Sequence, residues 1–167
     1  MKRIVGLCAA VFAVLVLAGC GQDNDMYALF ISELKAERAD ALSYVCDIDG
    51  DGSDELVVLD GTAVEVYGYD EDAVLLGSHD FFTGSLRLFR SDKASFPGIF
   101  WFTVDGGLNH YGYLTVSSGK LVTEELWTED YSGVSGEQGK VTEISTDKAK
   151  IKESKRLYEA EKDIEFE

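Results

Sequence analysis

Cysteine, proline and histidine are scarce in this chain of 167 residues, which has three cysteines, one proline and two histidines. Cys8 lies within an apolar leader and Cys20 directly follows it, which leaves Cys46 without a partner. This count excludes a fold held together by a disulfide framework. We predict that Cys46 is a small buried apolar residue, and a reactive thiol is the alternative.

The two histidines, His79 and His110, offer little material for a histidine metal site or a catalytic triad. His79 and Asp80 are neighbours in a predicted strand, so their side chains should point to opposite faces. The chain also lacks the G-x-S-x-G, H-E-x-x-H and C-x-x-C motifs and a phosphate-binding glycine loop. We therefore predict surface or rim positions for both histidines and no enzymatic activity.

Basic residues are few, with 15 lysines and arginines against 31 aspartates and glutamates and a formal net charge of −16. Because this charge repels phosphate groups, neither nucleic acid nor an anionic lipid surface is an expected partner. Solubility is the simplest explanation of the acidic excess.

The first 19 residues are typical of a signal peptide, because Lys2 and Arg3 precede an apolar run too short for a lasting membrane span. The run ends in L-A-G-C at Cys20, which resembles the lipobox of bacterial lipoproteins. The resemblance implies that Cys20 is diacylated and anchors the protein to the cell membrane on its extracellular or periplasmic side. The alternative is an ordinary secretory signal followed by a chance cysteine.

Residues 20–25 are predicted to form a lipidated tether, and residues 26–167 a single domain. The segment "DMYALFISELKAERAD" predicts an amphipathic helix that Asp25 caps. Its predicted apolar face consists of Met26, Leu29, Phe30 and Leu34.

From Leu42 to about Trp127 the apolar pattern has a period of two and predicts about seven short strands. Asp60-Gly61 favours a tight hairpin, and Pro97 falls in a link between strands. Beyond them, "VTEIS" predicts a last strand and "TDKAKIKESKRLYEAEK" a second helix, whereas "DIEFE" fits either a short strand or a tail. The predicted fold class is α+β, an antiparallel β-meander sheet with an N-terminal and a C-terminal helix.

The segment "DIDGDGSDEL", residues 47–56, places carboxylates at alternate positions ahead of a strand and predicts a calcium site. Calcium takes six to eight oxygen ligands, and a curled loop supplies them from alternate residues. Gly52 gives the sharp turn that such a loop needs. The predicted ligands are Asp47, Asp49, Asp51, the carbonyl of Ser53, and Glu55. An acidic, solvated turn without an ion is the alternative.

An EF-hand does not fit this loop, because position twelve is Val58 rather than glutamate. The pattern instead resembles the calcium loops of FG-GAP (integrin-type) repeats, D-x-D-G-D-G-x-x-D/E-L, and this resemblance implies the same five ligands. Such repeats come in sevens and this chain has one, so a propeller is not expected. Lipobox, helix, single loop and sheet together resemble a group of small lipoproteins of Gram-positive bacteria, and no activity is carried over from them.

Aromatic residues cluster in the second half of the predicted sheet, at Phe100, Trp101, Phe102, Tyr111, Tyr113 and Trp127. One face must be core, and the other is either a platform for a protein or glycan ligand or is covered by helices. We therefore expect a lipid-anchored binding module with one structural calcium site. The alternatives are a small cell-surface hydrolase that uses acidic residues near the loop, and a purely structural envelope component.

Overall fold

The computed structural model describes residues 24–81, 85–132, 139–160 and 163–167. These form an α+β fold in which two antiparallel sheets are flanked by two helices. The helices are α1 (Asn24–Glu37) and α2 (Lys148–Glu159). The four-stranded sheet runs in the order β1 (Leu42–Cys46), β2 (Glu55–Asp60), β3 (Ala63–Asp70), β4 (Asp72–Asp80). The five-stranded sheet runs in the order β5 (Leu86–Arg90), β6 (Ile99–Asp105), β7 (Leu108–Ser117), β8 (Lys120–Asp130), β9 (Lys140–Glu143).

The prediction of one seven-stranded meander sheet is wrong, because the chain leaves the first sheet after β4 and begins a second at β5. Each sheet by itself is a meander, and the predicted hairpin at Asp60-Gly61 joins β2 to β3. The two sheets stack, so strands such as β6 are buried on both faces. Ile99 and Trp101 face the other sheet, whereas Phe100 and Phe102 face α2. This double burial explains the continuous apolar runs of the sequence.

The core consequently has three parts. One lies between the sheets and includes Cys46, Ile48, Val57, Ile99 and Leu114. The prediction for Cys46 is confirmed, since its thiol is unpaired and buried, and burial raises its pKa to about 12. The other two parts lie under the helices, one beneath α1 on the four-stranded sheet and one beneath α2 on the five-stranded sheet.

Helix α1 forms, but it begins at Asn24, so Asp25 lies inside it and does not cap it. Of its predicted apolar face, Leu34 and Phe30 pack against the core, whereas Met26 and Leu29 do not. Leu29 is 73% exposed and Met26 is 36% exposed, whereas Tyr27 is fully buried and Leu34 nearly so. Tyr27 can be buried because its hydroxyl donates to the backbone carbonyls of Asp54 (3.0 Å) and Tyr67 (3.2 Å). Its ring therefore packs in the core while its polar end keeps hydrogen-bond partners. The helix is thereby held beside the end of the loop that precedes β2.

Helix α2 begins after Asp147, whose carboxylate accepts hydrogen bonds from the N–H groups of Ala149 (3.1 Å) and Lys150 (3.0 Å). On its inner face, Glu153 is buried and accepts from Ser91 (2.6 Å) and Arg156 (2.7 Å). The pKa of Glu153 is lowered to about 2, mainly by the hydrogen bond from Arg156. Burial acts in the opposite direction and is the smaller effect. The helix is therefore joined to the segment after β5 by an ionised, fully bonded side chain.

The segment "DIEFE", residues 163–167, lies between the edge strands of the two sheets and bonds to both. Asp163 pairs with Phe89 of β5, and the N–H of Ile164 donates to the carbonyl of Leu88 (2.8 Å). At its other end Glu167 exchanges two backbone hydrogen bonds with Ser43 of β1, at 2.9 and 3.0 Å. The segment therefore bridges the edge strands of both sheets.

Candidate metal centre

The acidic loop, residues 47–54, closes the hairpin between β1 and β2. Cys46 pairs with Glu55 across this hairpin, so the ladder brings Asp47 and Glu55 to the same end of the two strands. Positions one and nine of the loop are thus neighbours because of strand register.

Inside the loop, aspartate carboxylates bind the backbone of the next residues. Asp47 accepts hydrogen bonds from the N–H groups of Gly50 (2.6 Å) and Gly52 (3.1 Å), and Asp49 accepts from Asp51 (3.0 Å). Gly50 and Gly52 have φ of +82° and +93°, a region that side chains disfavour. The alternation of aspartate and glycine therefore produces the curled backbone that the sequence predicted.

Asp47, Asp49 and Glu55 form an acidic group that could hold a metal ion, because one carboxylate oxygen from each lies within 4.8 Å of the others. Glu55 is only 5% exposed, and the two aspartates are half-buried. Of the other predicted ligands, Ser53 and Asp51 are exposed, and the carboxylate of Asp51 accepts from the N–H of Ser53 (2.7 Å) rather than joining this group.

Glu55 is the residue of the loop region whose carboxylate is made less favourable by burial and by neighbouring negative charges. Burial is the main cause that raises its pKa to about 7, and the nearby charges of Asp49, Asp51 and Asp47 add to it. The N–H of Ile48 donates to its Oε2 (2.9 Å), which favours the ionised form and opposes part of the rise. A cation at this position would reverse the sign of the repulsion.

Contacts with the five-stranded sheet fix the loop from outside. The hydroxyl of Thr115 donates to the carbonyl of Ile48 (2.5 Å), and Arg90 donates to the carbonyl of Asp47 (3.1 Å). A Cβ added to Gly50 would lie 3.3 Å from the ring of Pro97. These contacts could not be predicted from the sequence. The contacting residues are between 43 and 67 residues apart along the chain, and no local sequence pattern relates them.

The structure also relocates the other candidate residues. All six aromatic side chains of the predicted platform are buried, Trp101 between the sheets and the others beneath α2. His79 and His110, for which the sequence predicted surface or rim positions, line one common cleft. Cys20, residues 1–19 and most of the predicted tether lie outside the described residues; α1 already begins at Asn24.

Searches of protein-family models, curated proteins and solved structures found no match to this chain. Among the helices of the described residues, none has the length and apolar character needed to cross a membrane. The geometry of the chain itself therefore carries the functional argument.

Proposed function

We propose that this protein is a lipid-anchored extracytoplasmic binding module with one structural calcium ion in the loop at residues 47–55. The observation that carries the proposal is the burial of Glu55 within an acidic group, since a buried carboxylate beside two others is costly without a cation. The L-A-G-C motif at Cys20 supports the lipid anchor.

Calcium is the cation that this donor set favours. The group offers carboxylate oxygens without nitrogen or sulfur, a choice typical of hard cations rather than zinc or copper. Asp47, Asp49 and Glu55 would hold the ion, with Asp51 and the Ser53 carbonyl as the further ligands that the sequence pattern implies. Bound there, calcium would offset two of the negative charges of the loop and strengthen the junction between the two sheets.

A binding role is favoured over the alternative, a small hydrolase that uses acidic residues near the loop. Such an enzyme needs a raised-pKa acid that faces a cleft. Glu55 has the raised pKa, but it is almost completely buried and its Oε2 accepts the N–H of Ile48. A carboxylate held in this way supports the loop.

Calcium is expected to raise the thermal midpoint of unfolding. At ten times the dissociation constant, a bound ion adds about 1.4 kcal/mol, which corresponds to about 3–6 °C for a domain of this size. Asp49→Asn should abolish the increase, because it removes a ligand charge while its amide oxygen still accepts the N–H of Asp51. Differential scanning calorimetry with calcium or with EDTA measures both effects.

The matched control is Asp70→Asn, which makes the same charge change at an exposed position at the end of β3. This variant should respond to calcium like the wild type. An equal midpoint with calcium and with EDTA in the wild type contradicts the calcium site.

Cys20→Ala is expected to release the protein from the membrane, since the variant lacks the thiol that carries the acyl chains. Cell fractionation and labelling with radioactive palmitate measure this. Cys46→Ala is the control and should stay labelled and membrane-bound, because Cys46 is buried in the core. An unlabelled wild type, or label retained by Cys20→Ala, contradicts the anchor.

A further inference from the structure

A cleft of about 420 Å³ opens where the end of β4 meets β6 and β7, between the two sheets. Its size falls in the range of about 300–1,000 Å³ that is typical of small-molecule sites. Its lining includes both histidines, two aspartates and two aromatic rings, namely His79, Asp80, Phe81, Trp101, Asp105 and His110.

The floor of the cleft is apolar. Phe81 and Trp101 are 7% and 6% exposed, and their ring centroids lie 5.0 Å apart. His79 packs edge-on against Phe81, with centroids 4.5 Å apart. Trp101 lies over Gly112, where a Cβ would come within 2.0 Å of the indole. Its Nε1–H is the buried side-chain polar atom that has no hydrogen-bond partner among the described residues.

The rim of the cleft is rich in hydrogen-bond acceptors. The exposed Asp80 accepts from the hydroxyl of Thr62 (2.9 Å), which positions its carboxylate, and Asp105 is exposed at the end of β6. His110 places Nδ1 2.5 Å from Oε1 of Glu125. This contact holds the ring of His110 at the rim of the cleft.

The charge of the cleft sets it apart from other concavities of the surface. Four other clefts each include at least one lysine or arginine, whereas the described lining of this cleft includes neither. A lining with two aspartates and, among the described residues, no lysine or arginine disfavours phosphate, sulfate or carboxylate ligands. No metal-ligating group of three or more residues forms here among the described side chains, so the geometry does not favour a metal ion either.

We propose that this cleft binds a neutral, hydroxyl-rich ligand, the chemistry of a sugar residue in a glycan. Sugar hydroxyls donate to carboxylates such as Asp80 and Asp105, and the C–H face of the sugar ring suits the apolar floor. The proposal rests on the function proposed above, that of a binding module, and gives that module its ligand class and site.

The test is a titration of the wild-type protein with methyl glycosides of glucose, galactose, mannose and N-acetylglucosamine. Saturation-transfer NMR detects binding, and the tryptophan fluorescence, to which Trp101 in the cleft contributes beside Trp127, reports it independently. At least one glycoside is expected to bind. Asp80→Asn and Asp105→Asn should each weaken that binding at least tenfold, because the amide loses the charge that strengthens a hydrogen bond to a hydroxyl.

Asp70→Asn, with the same charge change in the turn at the opposite end of β4, should bind like the wild type. Putrescine and succinate serve as a cationic and an anionic probe. Absence of binding by all four glycosides overturns the proposal. So does equal binding in the two cleft variants, or binding of putrescine alone, which would indicate an amine site.

The calcium response and the sugar binding of the wild type are measured separately, which distinguishes this proposal from the calcium proposal. If sugar binds but calcium has no effect, the sugar site stands and the calcium site is contradicted. A normal calcium response without sugar binding does the reverse, so each proposal can fail by itself.

Discussion

Glu55→Gln stabilises the calcium-free protein at pH 8 and at the same time abolishes its response to calcium. The pKa of Glu55 is raised to about 7 from 4.5, so the ionised side chain is less favourable in the folded state than in the unfolded state. A shift of this size corresponds to at most about 3 kcal/mol, and we expect a gain of about 1–2 kcal/mol. Glutamine keeps an oxygen that can accept the N–H of Ile48.

The stabilisation by Glu55→Gln should depend on pH, because it arises only where Glu55 is ionised. Glu55 is neutral in both states below about pH 4.5, and its ionisation costs stability as the pH rises from there to about 7. In EDTA, the difference between variant and wild type should therefore be largest at pH 8 and absent at pH 4. Urea unfolding at both values measures it. A Glu55→Gln protein less stable than the wild type at pH 8 in EDTA contradicts the strain assigned to this residue.

Removal of residues 164–167 lowers the free energy of unfolding by about 3.5–6.5 kcal/mol. The truncation deletes three backbone hydrogen bonds to the edge strands, worth about 0.5–1.5 kcal/mol each. It also removes the half-buried side chains of Ile164 and Phe166 from the core between the sheets, at about 1 kcal/mol each. The thermal midpoint should fall by about 7–26 °C.

Two full-length variants separate the parts of this effect. The double variant Ile164→Ser, Phe166→Ser keeps the backbone hydrogen bonds. Its free energy of unfolding should fall by about 2 kcal/mol, the part of the effect that comes from the two side chains. Glu165→Gln, at an exposed position of the same segment, should change the free energy of unfolding by less than about 0.5 kcal/mol. A truncated protein within 1 kcal/mol of the wild type would show that the segment does not join the sheets.

Local pattern determined the elements of this fold but not their assembly. The strand positions and the hairpin at Asp60-Gly61 follow from alternation and turn chemistry, which are local. The split into two sheets depends on what covers each face of a strand. Ile99 and Phe100 are equally apolar, and nothing in their immediate sequence tells that one faces a sheet and the other a helix.

The same limit applies to the candidate site. Asp47, Asp49 and Glu55 were predictable because one hairpin loop supplies them all. Their supports, Arg90 and Thr115, come from another sheet, and only the packing of the two sheets brings them to the loop. His79 and His110 line one cleft for the same reason, and no local sequence signal relates them.

Isothermal titration of the wild-type protein with calcium measures directly whether the loop binds the ion. We expect one ion per chain, with a dissociation constant on the order of 10⁻⁴–10⁻³ M, as in extracellular calcium modules. The heat of binding should disappear in Asp49→Asn and in Glu55→Gln and persist in Asp70→Asn. A wild-type titration indistinguishable from dilution, or equal heats in all four proteins, would contradict a calcium ion at this loop.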